Sequence, residues 1–201
     1  EDNWKDVGLV KQLEAIKILN IKQVLPLLMC GYRNLRVDFK RLVESSVIFS
    51  FRYSTICNLH NNELEKKYSD IVSKILPDEN GKKRITKVEQ IVKELKSNDI
   101  YPDNTIFLQR FISKEADKEA LARYILRKIE DHLFGKEKET SKELTLEHIL
   151  PKNPKDDWEQ YFKKKNLKMD DMKTLIWRLG NMTLLEDRPN KKVSNSLYDV
   201  K

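Results

Sequence analysis

At Leu144 the apolar pattern of this chain changes period, and that change limits the possible folds more than any other feature of the sequence. Upstream, apolar residues recur at the three- and four-residue spacing of amphipathic helices. In Leu144-Thr145-Leu146-Glu147-His148-Ile149 they alternate instead, which predicts a short strand ended by Pro151. The chain is therefore expected to be mainly α with a small α+β element near its end. Composition agrees. With 5 Gly, 6 Pro and 35% charged residues in 201, it suits helices with solvated faces, not a strand-rich barrel or a disordered chain.

The helical part divides at its breakers. Val10, Leu13, Ile16 and Ile18 predict a helix in a stretch running to Leu28, interrupted at Pro26, with a further break at Cys30-Gly31. Leu35, Phe39, Leu42, Val43, Ser46 and Phe49 form the next stripe. Asn61 or Asn62 is expected to cap a helix carrying Leu64, Tyr68, Ile71 and Ile75. Pro77 to Lys83 reads as a polar turn. Val88, Ile91, Val92 and Leu95 make another helix, Ile106 to Ile112 a short apolar element. A strongly amphipathic helix follows from near Asp117 to Leu133. The charged run Phe134 to Lys142 reads as a link, so the expected division is a helical region, 1–140, and a C-terminal unit, 141–201.

Within that unit, Asp156-Asp157 and Asp170-Asp171 are placed to start two helices, the second ended by Gly180. Asn181-Met182-Thr183-Leu184-Leu185 is a second short strand. Pro189 suits the first turn of a last helix, on which Asn190, Val193 and Leu197 share a face. The order is strand, helical insertion, strand, helix.

Lys and Arg number 39 against 32 Asp and Glu, a formal net charge of +7 spread along the chain. This is compatible with a polyanionic partner without establishing one. Cys30 and Cys57 lie far apart in apolar stretches and read as reduced core residues, not a zinc site. No apolar run approaches the ~20 residues needed to cross a membrane, and no signal peptide is evident, so a cytoplasmic protein is expected. Starting at Glu1 and stopping at Lys201, the sequence reads as a piece of a longer protein.

Glu147-His148-Ile149-Leu150-Pro151, Leu179-Gly180-Asn181-Met182-Thr183-Leu184-Leu185 and Asn190 carry the chemistry. Phosphodiester hydrolysis needs a base for the attacking water, a cation for the developing charge, and a brace that orients the base. Histidine titrates near neutrality and suits the first need. Carboxylate and amide oxygens suit a hard cation such as Mg²⁺, and asparagine can brace an imidazole or a loop.

These residues, with Asn195, resemble the C-terminal nuclease domain of GmrSD-type modification-dependent restriction endonucleases, within the HNH or His-Me finger superfamily. The helix Arg123-Tyr124-Ile125-Leu126-Arg127-Lys128-Ile129-Glu130 resembles the one preceding the motif in that family. The clear resemblance spans roughly residues 120–201; the earlier helices share only general character. It implies a ββα-metal nuclease core with a helical insertion, following a helical bundle region and using one Mg²⁺ or Mn²⁺ ion. It implies His148 as general base, Asn181 as the brace, and Glu147 and Asn190 as metal ligands. It also implies a longer protein or complex with a separate N-terminal nucleotide-binding domain, acting on DNA, including modified phage DNA. Lys191 and Lys192, flanking Asn190 near a helix N-terminus, are candidates for phosphate contact.

The expected function is thus a metal-dependent DNA endonuclease effector of a restriction or anti-phage defence protein. Two alternatives stand beside it: a catalytically degenerate helical interaction or regulatory module, and an RNA-cleaving nuclease of the same superfamily. Lys163-Lys164-Lys165 with Lys168 read as a solvated helix face. Trp158, Tyr161, Phe162 and Trp177 read as the core of the insertion ahead of base-stacking surfaces. His60 and His132 take no catalytic part.

Overall fold

The computed structural model describes residues 5–97, 100–135 and 144–186. Residues 1–111 form one compact unit and residues 112–201 a second. The described residues are mainly helical, with one two-stranded sheet.

The first unit contains α1 (Val7–Leu19), α2 (Leu25–Asn34), α3 (Phe39–Ser50), α4 (Asn61–Ile75) and α5 (Val88–Leu95), and most of α6 (Asn104–Ile112). Asp6 caps α1 by accepting from the Leu9 amide at 3.1 Å. Pro26 lies in the first turn of α2, where its missing N–H costs nothing, so it starts a helix where the sequence suggested an interruption. The cap expected at Asn61 or Asn62 falls on His60, without a capping bond from its side chain. Asn61 instead accepts from the Ser54 hydroxyl at 3.1 Å. Both cysteines are free thiols, Cys57 buried and Cys30 only half-buried.

The break expected at Cys30-Gly31 is not there: α2 runs through it to Asn34. Gly31 serves close approach, not a turn. It is buried, and a methyl group at its Cα would overlap Leu42 Cδ2 of α3. Gly31→Ala should therefore destabilise the unit by about 1–3 kcal/mol through overpacking, despite alanine's better helix propensity. Denaturant unfolding checks this; a stabilised variant would show that α2 and α3 have room to separate.

The core of this unit includes Val24, Leu27, Leu42, Val43, Leu64, Ile71, Ile75, Val88 and Ile91, all fully buried. Tyr68 lies among them and shares a 2.6 Å hydrogen bond with the buried Ser50 hydroxyl. Burial pushes the Tyr68 phenol above its ordinary value, the Ser50 bond opposing only in part. The unfolded phenol ionises near pH 10 while the folded one stays neutral. The stability this contributes is complete below about pH 10 and is lost as pH climbs above it. Tyr68→Phe, which strands Ser50, should cost about 1–2 kcal/mol at neutral pH. Urea unfolding across pH should show that gap narrowing in alkali; a constant gap would contradict the assignment.

The second unit contains α7 (Glu119–Phe134), β1 (Leu144–His148), α8 (Asp156–Lys164), α9 (Met169–Ile176) and β2 (Met182–Glu186). The strands pair antiparallel, Leu144 opposite Glu186 and His148 opposite Met182. Helix α7 packs on both strands, and the Arg123 guanidinium donates to the Leu144 carbonyl. The division between compact units falls at 111/112, and α7 lies in the same unit as the ribbon. Helices α8 and α9 lie between the strands in sequence, as expected of the insertion. Leu150, Trp158, Phe162, Met172 and Ile176 form its core.

Helix α9 ends at Ile176, not at Gly180. The reason is a side chain: Asn181 Nδ2 donates to the Ile176 carbonyl at 3.1 Å, satisfying one of the helix's last acceptors. Leu179–Asn181 then makes one 3₁₀ turn into β2. The expected last helix, with Asn190, Lys191, Lys192 and Asn195, lies outside the described residues, as does most of the expected link.

Candidate active site

The β-ribbon delivers His148. It occupies the last ladder pair of β1, opposite Met182, and is buried at 5% exposure. Side chains alternate along a strand, and directly opposed residues share a face. His148 therefore shares its face with Leu146, Met182 and Leu184, while Glu147 shares the other with Thr183. The structure does not bring Glu147 onto the histidine's face. The His148 ring meets the Trp177 ring edge-to-face, centroids 5.5 Å apart at 87°. Lys152 Nζ stands 5.3 Å from the centroid of Trp177.

Asn181 fixes the chain immediately after His148. Its backbone carbonyl accepts from the Ile149 amide at 2.8 Å, extending the ribbon by one bond. Its side chain treats Leu150 as one strand treats another: Oδ1 accepts from the Leu150 amide at 2.7 Å, and Nδ2 donates to the Leu150 carbonyl at 2.9 Å. With the bond to Ile176, one amide ties together the end of α9, the start of β2 and the loop leaving β1. Few residues other than asparagine can donate and accept from so short a stem.

The turn carrying Trp177 is anchored by backbone. The Trp177 carbonyl accepts from the Ala116 amide at 2.8 Å, and the Leu179 amide donates to the Lys114 carbonyl at 2.9 Å. Glu115 and Arg178 form an isolated antiparallel bridge between these bonds. Burial holds the Lys114 ammonium below its ordinary value, against the pull of Asp117 and Glu115.

His148 and Asn181 thus belong to one local assembly, joined through the backbone of Ile149 and Leu150. Asn190, Lys191 and Lys192 lie outside the described residues. Trp177, which borders His148, and Lys152, which lies over Trp177, were not singled out for this role from sequence. The only signal for them was position: Lys152 follows Pro151, and Trp177 lies four residues before Asn181. Lys163, Lys164, Lys165 and Lys168 are exposed, as a solvated face requires.

Among the described residues no three His, Cys, Asp or Glu side chains cluster as a metal site would need. No described helix is long and apolar enough to cross a membrane.

No curated protein and no solved structure matches the chain. A protein-family model does: that of the C-terminal domain of GmrSD restriction endonucleases, over residues 101–201, the half that holds His148, Asn181 and the ribbon. The family implies a restriction-endonuclease role, with nuclease activity and DNA as substrate. The family model spans half of the chain, and the chain belongs to the GmrSD restriction endonuclease C-terminal domain family.

Proposed function

We propose that this chain is the metal-dependent DNA endonuclease effector of a restriction or anti-phage defence protein, with an HNH-type site centred on His148. The observation that carries the reading is the Asn181 clamp on Leu150, which fixes the backbone one residue beyond the His148-Ile149 step. A general base needs this fixed geometry, because proton abstraction falls off sharply with misplacement.

In this reading His148 takes the proton from the water that attacks phosphorus. Asn181 holds the loop so that the imidazole keeps its orientation. Asn190 would hold a Mg²⁺ or Mn²⁺ ion through its side-chain oxygen, and Glu147, which lies on the opposite face of β1 from His148, is not assigned to this centre. When bound, that ion stabilises charge on the phosphate and leaving oxygen. Lys191 and Lys192 contact the DNA backbone. In the whole protein, a separate N-terminal nucleotide-binding domain in the cytoplasm governs when modified phage DNA is cut.

The test is a side-by-side incubation with supercoiled plasmid and total RNA, with Mg²⁺ or Mn²⁺ and with EDTA. Nicked or linear plasmid that appears only with metal is expected, with the RNA intact. Cleavage confined to RNA would replace the DNA reading, and cleavage in EDTA would remove the metal.

A further inference from the structure

A groove of about 430 Å³ opens in the second unit beside the clamp, walled by Trp158, Tyr161, Phe162, Leu150, Arg178 and Asn181. Its size falls within the ~300–1,000 Å³ usual for small-ligand sites. Ile149 and Leu150, the two residues after His148, form part of its lining. Two features stand out. Tyr161 is 37% exposed although it belongs to an aromatic pair, its ring edge-on to Trp158 at 6.0 Å. Arg178 Nε is buried and has no hydrogen-bond partner among the described residues. A buried N–H without an acceptor is costly, and on the half-buried Arg178 it calls for an acceptor from outside.

Cations lie near the Tyr161 end of the groove. Lys165 Nζ lies 5.8 Å from the Tyr161 centroid, and Lys163 and Lys164 occupy the last turn of α8. Asp156, Asp157 and Glu159 occupy the first turn of α8, at its opposite end. An aromatic wall, an Arg178 Nε–H without an acceptor and Lys165 beside Tyr161 together suit an aromatic ligand that carries an anion. A nucleotide is such a ligand.

We infer that this groove holds one unstacked nucleotide of the DNA strand being cut, its base against Tyr161 and its phosphate on Arg178. The inference rests on the DNA nuclease reading and extends it, because it gives the site a grip on the strand next to His148. Arg178 and Tyr161 are binding residues in this account and touch no reacting atom.

The experiment measures the anisotropy of a fluorescein-labelled single-stranded DNA oligonucleotide, over a range of salt concentrations, with the full chain carrying His148→Asn to prevent cleavage. Tyr161→Ala should weaken binding about five- to tenfold, and Tyr161→Phe should restore it, because the ring and not the hydroxyl is used. Arg178→Gln should weaken binding about tenfold and lower the salt slope by about one. Thermal melts establish that each variant is folded. If Arg178→Gln does not fold, the exposed Tyr161 pair carries the test. Variants that bind like their parent would overturn the groove and leave the nuclease reading intact. So would a parent that ignores the oligonucleotide while the wild type still nicks plasmid. A protein that neither binds nor cuts DNA would overturn both.

Discussion

His148→Asn is expected to slow plasmid nicking by about 10²–10⁴-fold, the usual contribution of a positioned general base. Asparagine is chosen because His148 is 5% exposed and packs against Trp177, so alanine would add a cavity to the loss of the base. The loss should fall on the turnover rate, with DNA affinity kept within about twofold, since the proton transfer occurs only in the transition state. Added imidazole should recover part of the rate in the variant and none in the wild type. A histidine that served packing alone would show the opposite pattern: a lowered melting temperature, little change in rate per folded molecule, and no response to imidazole.

Asn181 is expected to give the largest combined loss of stability and activity. Asn181→Ala deletes three hydrogen bonds and leaves the Leu150 amide and carbonyl without their partner. Stranded partly buried groups cost about 1–3 kcal/mol each, so a loss of about 2–4 kcal/mol is expected after relaxation and hydration. Asn181→Asp is the sharper variant. It keeps the shape and the acceptor for the Leu150 amide, but turns a carboxylate oxygen toward the Leu150 and Ile176 carbonyls, where Nδ2 donated. It should be no more stable than the alanine variant. An aspartate variant close to wild type in denaturant unfolding would mean the clamp is not made as described.

Much of this was legible in the sequence because local chemistry decided it. The alternation at Leu144 gave β1, Asp156 and Asp170 marked the first turns of α8 and α9, and His148 and Asn181 stood out by residue type and order. Three readings failed because a tertiary partner supplied what the local signal omitted. Gly31 looked like a breaker, but its missing side chain makes room for Leu42 across a helix pair. Gly180 looked like a helix terminator, but the Asn181 side chain had already closed α9 at Ile176. The aromatics of the insertion were read together as core. Trp158 and Phe162 are core and Trp177 packs half-buried against them, also meeting His148, whereas Tyr161 is exposed. No spacing rule predicts the Trp177 contact, because it depends on the turn after α9 bridging to Ala116 and Lys114.

The most direct test of the proposed centre is the anomalous scattering of a crystal soaked in Mn²⁺. One peak is expected, bonded to the Asn190 side chain and adjacent to the His148 imidazole. A crystal saturated with Mn²⁺ that shows no peak there, or shows one only at a distant surface, would contradict the assignment.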